Sequence, residues 1–113
     1  MDNRKDDFYY INKILKDLDF LIKHTKEVTK EALKKDEVLL DSVMFRFIQI
    51  SEHIKKLTLV FKTKHKEIPW KDIVGLRNRI VHDYGTVDLS IIYYTVKKDI
   101  YIIHKLFKAI SRD

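Results

Sequence analysis

Glycine and proline are almost absent from this chain, and that scarcity is the strongest constraint on its fold. Two glycines and one proline in 113 residues leave few positions for the tight turns that β-sandwiches and β-barrels need at short intervals. A chain of this length is expected to form one domain, which buries roughly two thirds of the surface that the unfolded chain exposes. We therefore expect a single all-α domain over residues 1–113.

The apolar residues recur at steps of three and four, the spacing of amphipathic helices. Asp36 and Asp88 can each cap a helix by accepting hydrogen bonds from free backbone N–H groups, and Pro69 suits a helix start. Gly75 lies inside the third helix, where we expect it to let a neighbouring helix come close. The short connections predict an antiparallel four-helix up-down bundle. The four helices are expected over residues 8–35, 36–64, 70–83 and 88–110.

Composition excludes several functional classes. Without cysteine there can be no disulfide framework, thiolate metal site or cysteine nucleophile. The apolar runs are far shorter than the roughly 20 residues of a membrane helix, and the N-terminus does not resemble a signal peptide, so a cytoplasmic protein without a membrane partner is expected. The net charge of +6 fits either binding to a polyanion or an ordinary solvated helical surface.

Histidine spacing argues against a metal site. None of the five histidines follows a glutamate by three residues or another histidine by four, the spacings of helical di-metal and zinc sites. We expect no metal and no cofactor. Four histidines are expected to have structural roles only: His24, His53, His65 and His104.

The fifth histidine, His82, lies in an unusual segment. Within eight residues it is joined by Arg77, Asn78, Asp83 and Tyr84, which together supply a cation, an amide, a titrating imidazole, a carboxylate and a phenol. Asn78 precedes His82 by four residues, so on a helix the amide can orient the imidazole. From residue types alone, such a cluster is more often a capping and ion-pair feature at a helix end than a catalytic site.

Metal-free RNA cleavage is the chemistry that suits this set. It needs a base for the ribose 2′-OH, an acid for the leaving 5′-oxygen and a cation for the phosphorus-centred transition state. A single imidazole cannot easily serve as both acid and base from one side of the phosphate. A two-fold dimer would bring two copies of Arg77 and His82 into one cleft.

The segment from Glu67 to Tyr84 resembles a known family. The resemblance rests on Ile-Pro-Trp at 68–70, on Arg77 and His82 with four residues between them, on Tyr84, and on Val-Asp at 87–88. It extends back through Arg46 and the Ile-Ser-Glu at 50–52. The chain resembles the HEPN superfamily and, within it, the HepT-like toxins that accompany a minimal nucleotidyltransferase (MntA-like) antitoxin.

The resemblance implies a homodimeric helical bundle and a toxin that is a metal-independent endoribonuclease acting on RNA such as tRNA or mRNA. Arg77 and His82 of both protomers would line the cleft, with Asn78 and Asp83 in support. Tyr84 is the position that the antitoxin would modify with AMP, which adds negative charge and bulk beside the cleft.

One departure from the family pattern lies on the second helix. Many relatives have Gly-Glu-Ala where this chain has Ser51, Glu52 and His53. The larger His53 is expected to change how closely helices or protomers approach. Glu52 could pair with a basic residue at the site or lie within the helix packing, and the second interpretation is slightly favoured.

Two other functions compete with this hypothesis. A non-catalytic HEPN-like module would scaffold a nucleotidyltransferase or bind a nucleotide while keeping the same fold. A DNA-binding protein is less well supported, because no recognition helix with a preceding turn stands out and lysines occur in all four helices. Trp70 is expected to be a packing anchor rather than a platform for base stacking.

Overall fold

The regular elements of the structure are all helical wherever it describes the chain. The computed structural model describes residues 5–80 and 88–110, without the side chains at 77 and 80. In these ranges no helix is long and apolar enough to cross a membrane. The helices are α1 (Asp7–Thr25), α2 (Lys30–Lys35), α3 (Glu37–Lys55), α4 (Leu59–Lys64), α5 (Trp70–Val74), α6 (Leu76–Ile80), α7 (Leu89–Tyr94) and α8 (Ile100–Ile110), with a π-helical turn at Thr95–Asp99 between the last two.

The prediction of long uninterrupted helices was wrong at three positions. The first expected helix consists of α1 and α2, the second of α3 and α4, and the third of α5 and α6. Threonines mark two of the breaks: Thr29 and Thr58 accept hydrogen bonds from the backbone N–H groups of Ala32 and Phe61, each at 3.1 Å. The helical spacing of apolar residues continues across both breaks, because α2 and α4 bury their apolar faces in the same core as α1 and α3.

Contacts between distant segments fix the helix ends. The carboxylate of Asp7 accepts hydrogen bonds from both the backbone N–H and the hydroxyl of Thr58, each at 2.8 Å. The ammonium group of Lys97 donates to the carbonyl oxygens of Thr25 and Lys26, at 2.8 and 3.0 Å, just where α1 ends. These contacts satisfy backbone groups that a helix end leaves without a partner within the helix.

One apolar core joins the helices. Helix α1 packs against α3 and α8, and α3 also contacts α5 and α6. The predicted apolar stripes supply most of this core, which is consistent with a helical bundle. The core side chains that are at most 1% exposed are Ile11, Ile14, Leu18, Leu21, Leu33, Val43, Ile54, Ile92, Val96, Ile100 and Phe107.

Gly75 interrupts the third expected helix. A β-carbon at this position would lie 3.2 Å from the carbonyl oxygen of Lys71 and 3.6 Å from that of Asp72, both in the preceding turn. The expectation that Gly75 admits a neighbouring helix was therefore wrong, since its own chain occupies the space. Gly75 separates α5 from α6, the helix that carries Arg77.

Candidate functional site

The described part of the predicted site is helix α6. Arg77 and Asn78 belong to this helix, and the side chain of Asn78 is exposed. The side chain of Arg77, and all of His82, Asp83 and Tyr84, lie outside the described residues. The convergence of the guanidinium, imidazole and phenol groups thus stays a prediction.

Asn78 borders a hollow between α3 and α6. The hollow has a volume of about 310 Å³ and is also lined by Ile48, Ser51, Glu52 and Lys55. Its polar lining includes a carboxylate, an ammonium group and an amide, so this face can take part in hydrogen bonding and ion pairing next to the helix that carries Arg77.

Ser51, Glu52 and His53 point in three different directions from α3. Ser51 is 5% exposed, and its hydroxyl donates to the carbonyl oxygen of Val74 at 3.5 Å, which holds α3 against the end of α5. Glu52 is exposed and lies 3.3 Å from the ammonium group of Lys55. The favoured interpretation of Glu52 as a packing residue was wrong, because its side chain is 57% exposed; Glu52 also lines the hollow that Asn78 borders.

His53 faces helix α1 rather than α6. Its Nδ1 lies 3.7 Å from Oδ2 of Asp17, and its ring lies 6.0 Å from that of Tyr10, centroid to centroid. The imidazole of His53 thus lies between α1 and α3.

Asp17 is a buried charged residue whose ion pair was not expected from the sequence. It is only 4% exposed, and its Oδ1 accepts a hydrogen bond from Nη1 of Arg46 at 2.8 Å. The Arg46 guanidinium lies over the ring of Phe20, 4.0 Å from its centroid. A carboxylate on the apolar face of α1, between Ile14 and Leu18, was the signal that could have revealed this ion pair.

The remaining histidines and Trp70 have structural neighbours. Trp70 donates its indole N–H to the carbonyl oxygens of Lys62 and His65, each at 3.1 Å, and its ring packs against Phe61 and Phe107. Trp70 is therefore a packing anchor, as expected, and part of its ring remains exposed. The other histidine contacts are His24 with Phe20, His65 with Glu67 and His104 with Asp19.

The family assignment follows from comparison with known proteins. A family model described as "Ribonuclease HepT-like" matches residues 14–110, which include most of the core helices, the Asp17–Arg46 pair and the whole 77–84 segment. The chain belongs to the HepT-like family, as the resemblance predicted.

Named relatives agree with this family. A protein of Caldanaerobacter subterraneus subsp. tengcongensis named "Putative RNase" is 36% identical over 89% of this chain and 90% of its own length. "Probable ribonuclease HepT" of Thermococcus cleftensis is 30% identical over 80% of this chain and 83% of its own. "Gamma-glutamylcyclotransferase and putative RNase" of Methanocaldococcus jannaschii is 36% identical over 86% of this chain but only 44% of its own length. No solved structure matches.

Proposed function

We propose that this protein is the toxin of a toxin–antitoxin pair and that it acts in the cytoplasm as a metal-independent endoribonuclease. The observation that carries the proposal is the family match across residues 14–110, which includes Arg77, His82 and Tyr84. The curated relatives with ribonuclease names support the same type of reaction.

In the proposed reaction, two histidines divide the proton transfers. His82 of one protomer takes the proton of the ribose 2′-OH, and the freed oxygen attacks the adjacent phosphorus. His82 of the second protomer gives a proton to the leaving 5′-oxygen, so the products are a cyclic 2′,3′-phosphate and a free 5′-hydroxyl. Arg77 stabilises the additional negative charge of the transition state. Asn78 and Asp83 support the position and charge of the imidazole.

A two-fold dimer of antiparallel helical bundles would complete the site. Two observations support placing the dimer contact near α6. Phe45 and Ile48, three residues apart on α3, are 55% and 37% exposed. Ile48 lies in the lining of the hollow that Asn78 borders. Residues three apart on a helix are neighbours on its surface, and a contiguous apolar patch on a protein surface is typical of an interaction site.

Regulation by AMP transfer would act on the same cleft. The phenol oxygen of Tyr84 would attack the α-phosphorus of a nucleoside triphosphate held by the nucleotidyltransferase antitoxin, and pyrophosphate would leave. The AMP attached through this phosphodiester would repel the phosphates of RNA electrostatically and would block the cleft sterically.

Purified protein and cellular RNA test the catalytic proposal. We expect wild-type protein to cleave RNA in the presence of a chelator, and His82→Ala to lower the rate at least about 100-fold, the usual contribution of a general acid or base. Arg77→Ala should lower it by a similar factor. His24→Ala is the matched control, because His24 is exposed and lies on α1. Intact RNA with the wild-type protein would refute catalysis, and a stable complex with the nucleotidyltransferase would then favour the non-catalytic scaffold.

Mass spectrometry tests the regulatory proposal. Co-expression with the nucleotidyltransferase should add the mass of one AMP to the peptide that contains Tyr84, and Tyr84→Phe should remove the addition. A peptide that stays unmodified in a pair whose antitoxin blocks toxicity would contradict this mechanism.

A further inference from the structure

The excess positive charge is concentrated in one part of the chain. Residues 53–82 contain eight basic side chains and two acidic ones, whereas the other 83 residues contain fifteen of each. Although lysines occur in every predicted helix, the whole net charge of +6 therefore belongs to the segment that forms the end of α3, then α4, α5 and α6.

Three lysines of this segment line a groove between α4 and α5. The groove has a volume of about 510 Å³, within the ~300–1,000 Å³ that small-molecule sites usually occupy. We call it the lysine groove. The lining residues used below are Leu59, Lys62, Lys66, Trp70, Lys71 and Asp72. With Asp72 as the one acidic group among all its lining residues, the groove has a net charge of +2.

The apolar part of the groove is held in a fixed position. The indole N–H of Trp70 already donates to the carbonyl oxygens of Lys62 and His65, so no polar group of the ring needs a ligand. The ring can still contact a ligand through its partly exposed surface, which lies beside Leu59, a residue that is 77% exposed. Stacking of a flat ligand needs only such surface.

The lysine groove adjoins a second hollow that leads toward α6. This hollow has a volume of about 330 Å³ and shares Pro69 and Asp72 with the groove. Its lining includes Leu76, Arg79 and Asp99, so the charged residues that line the two hollows together have a net charge of +2. Leu76 directly precedes Arg77 in the chain, and Arg79 follows it by two residues. A ligand that fills both hollows would therefore extend from the lysine groove to the helix that carries the proposed catalytic arginine.

We propose that the lysine groove binds a single-stranded segment of RNA. Lys62, Lys66 and Lys71 would neutralise successive phosphates, and a base would lie against Trp70 and Leu59. A duplex could satisfy the lysines but keeps its bases stacked inside, which leaves the apolar floor of the groove uncovered. The inference rests on the proposed ribonuclease function, to which it adds the substrate class: RNA with an unpaired segment beside the scissile bond.

Trp70 supplies the assay, because it is the only tryptophan of the chain. The probe is a single-stranded oligoribonucleotide of about ten nucleotides, within the usual site size for such binding, with 2′-O-methyl groups that prevent cleavage. Titration into wild-type protein should quench the tryptophan emission. A fully paired duplex of the same sequence should cause much weaker quenching.

Two triple variants with the same change in charge test the lysines. The groove variant, in which the three groove lysines are replaced by alanine, should bind the probe at least about tenfold more weakly at low salt. The slope of its plot of log affinity against log salt concentration should also be shallower by about 2, since each lost phosphate contact contributes about 0.7. The control variant, changed in α1 and α2, should bind like wild type. The groove variant is Lys62→Ala, Lys66→Ala and Lys71→Ala, and the control variant is Lys16→Ala, Lys34→Ala and Lys35→Ala.

Several results would overturn the inference. These are the absence of quenching, an equal loss of affinity in both variants, or equal quenching by duplex and single strand. A groove variant that binds the probe normally but loses the nucleotidyltransferase would show that the groove docks a protein instead.

The inference and the proposed function can fail separately. If wild-type protein cleaves no RNA but the groove variant loses probe binding, the function is wrong and the binding site is confirmed. If the protein cleaves RNA but quenching does not depend on the groove lysines, only the groove assignment is wrong.

Discussion

Replacement of Arg46 by methionine tests the buried ion pair between α1 and α3. Asp17 is 4% exposed and receives its 2.8 Å hydrogen bond from Arg46, while its other oxygen has only the Nδ1 of His53 at 3.7 Å. In Arg46→Met the side-chain stem can still cover Phe20, but the carboxylate loses its partner.

The expected loss of stability is large for a single substitution. Removing one partner of a buried pair costs about 3–5 kcal/mol. The Arg46 side chain is 30% exposed, so water can partly replace it, and we expect a free energy of unfolding lower by about 2–3 kcal/mol. For a domain of this size, that corresponds to a melting temperature lower by roughly 10–15 °C.

A second variant separates the buried charge from lost packing. In Asp17→Leu/Arg46→Met no charge is left without its partner, so this protein should be more stable than Arg46→Met by at least about 1 kcal/mol. Urea unfolding followed by circular dichroism measures both values. Lys55→Met is the control, because Lys55 and Glu52 form an exposed pair whose loss should change stability by less than about 0.5 kcal/mol. An Arg46→Met protein as stable as this control, or a double variant no better than the single, would refute the reasoning.

Three other predictions concern caps, packing and pH. Asp36→Ala should lower the free energy of unfolding in urea by about 1 kcal/mol because α3 loses its cap, whereas Asp36→Asn, which can still accept the hydrogen bond, should leave it unchanged. Equal losses in the two variants would contradict the capping role. Trp70→Phe should lower the melting temperature by a few degrees, about 1 kcal/mol, since both indole hydrogen bonds disappear; an unchanged melting temperature would show that these bonds contribute little. RNA cleavage by wild-type protein should follow a bell-shaped pH profile, because one imidazole must be neutral and the other protonated; a rate that rises steadily with pH would exclude two-histidine catalysis.

The sequence alone determined that the protein is helical, which faces of the helices are buried, and to which family the chain belongs. In the fourth expected helix, Ile92, Val96, Ile100 and Phe107 follow one another at steps of four, four and seven residues, and all are at most 1% exposed. The caps at Asp36 and Asp88 were also confirmed, since both carboxylates accept backbone hydrogen bonds at the expected helix starts. Periodicity and capping are local properties, so they can be read from neighbouring residues.

The candidate site was only partly predictable. The motif that carries Arg77 and His82 was visible in the sequence because its residues are adjacent in the chain. The lysine groove was not, because Leu59, Lys62 and Trp70 are brought together by the turn between α4 and α5. The direction of each side chain on α3, with Ser51 inward and Glu52 toward the hollow, likewise depends on which helices surround it.

Only the tertiary structure decided where the helices break and which distant residues satisfy the backbone groups at their ends. The apolar period continues through residues 26–29 and 56–58, so it could not reveal that Asp7 binds Thr58 or that Lys97 binds the carbonyl end of α1. These partners are 51 and 72 residues apart from the groups they satisfy. A helix end needs partners for its backbone groups, and when they come from distant residues no local pattern of sequence records them.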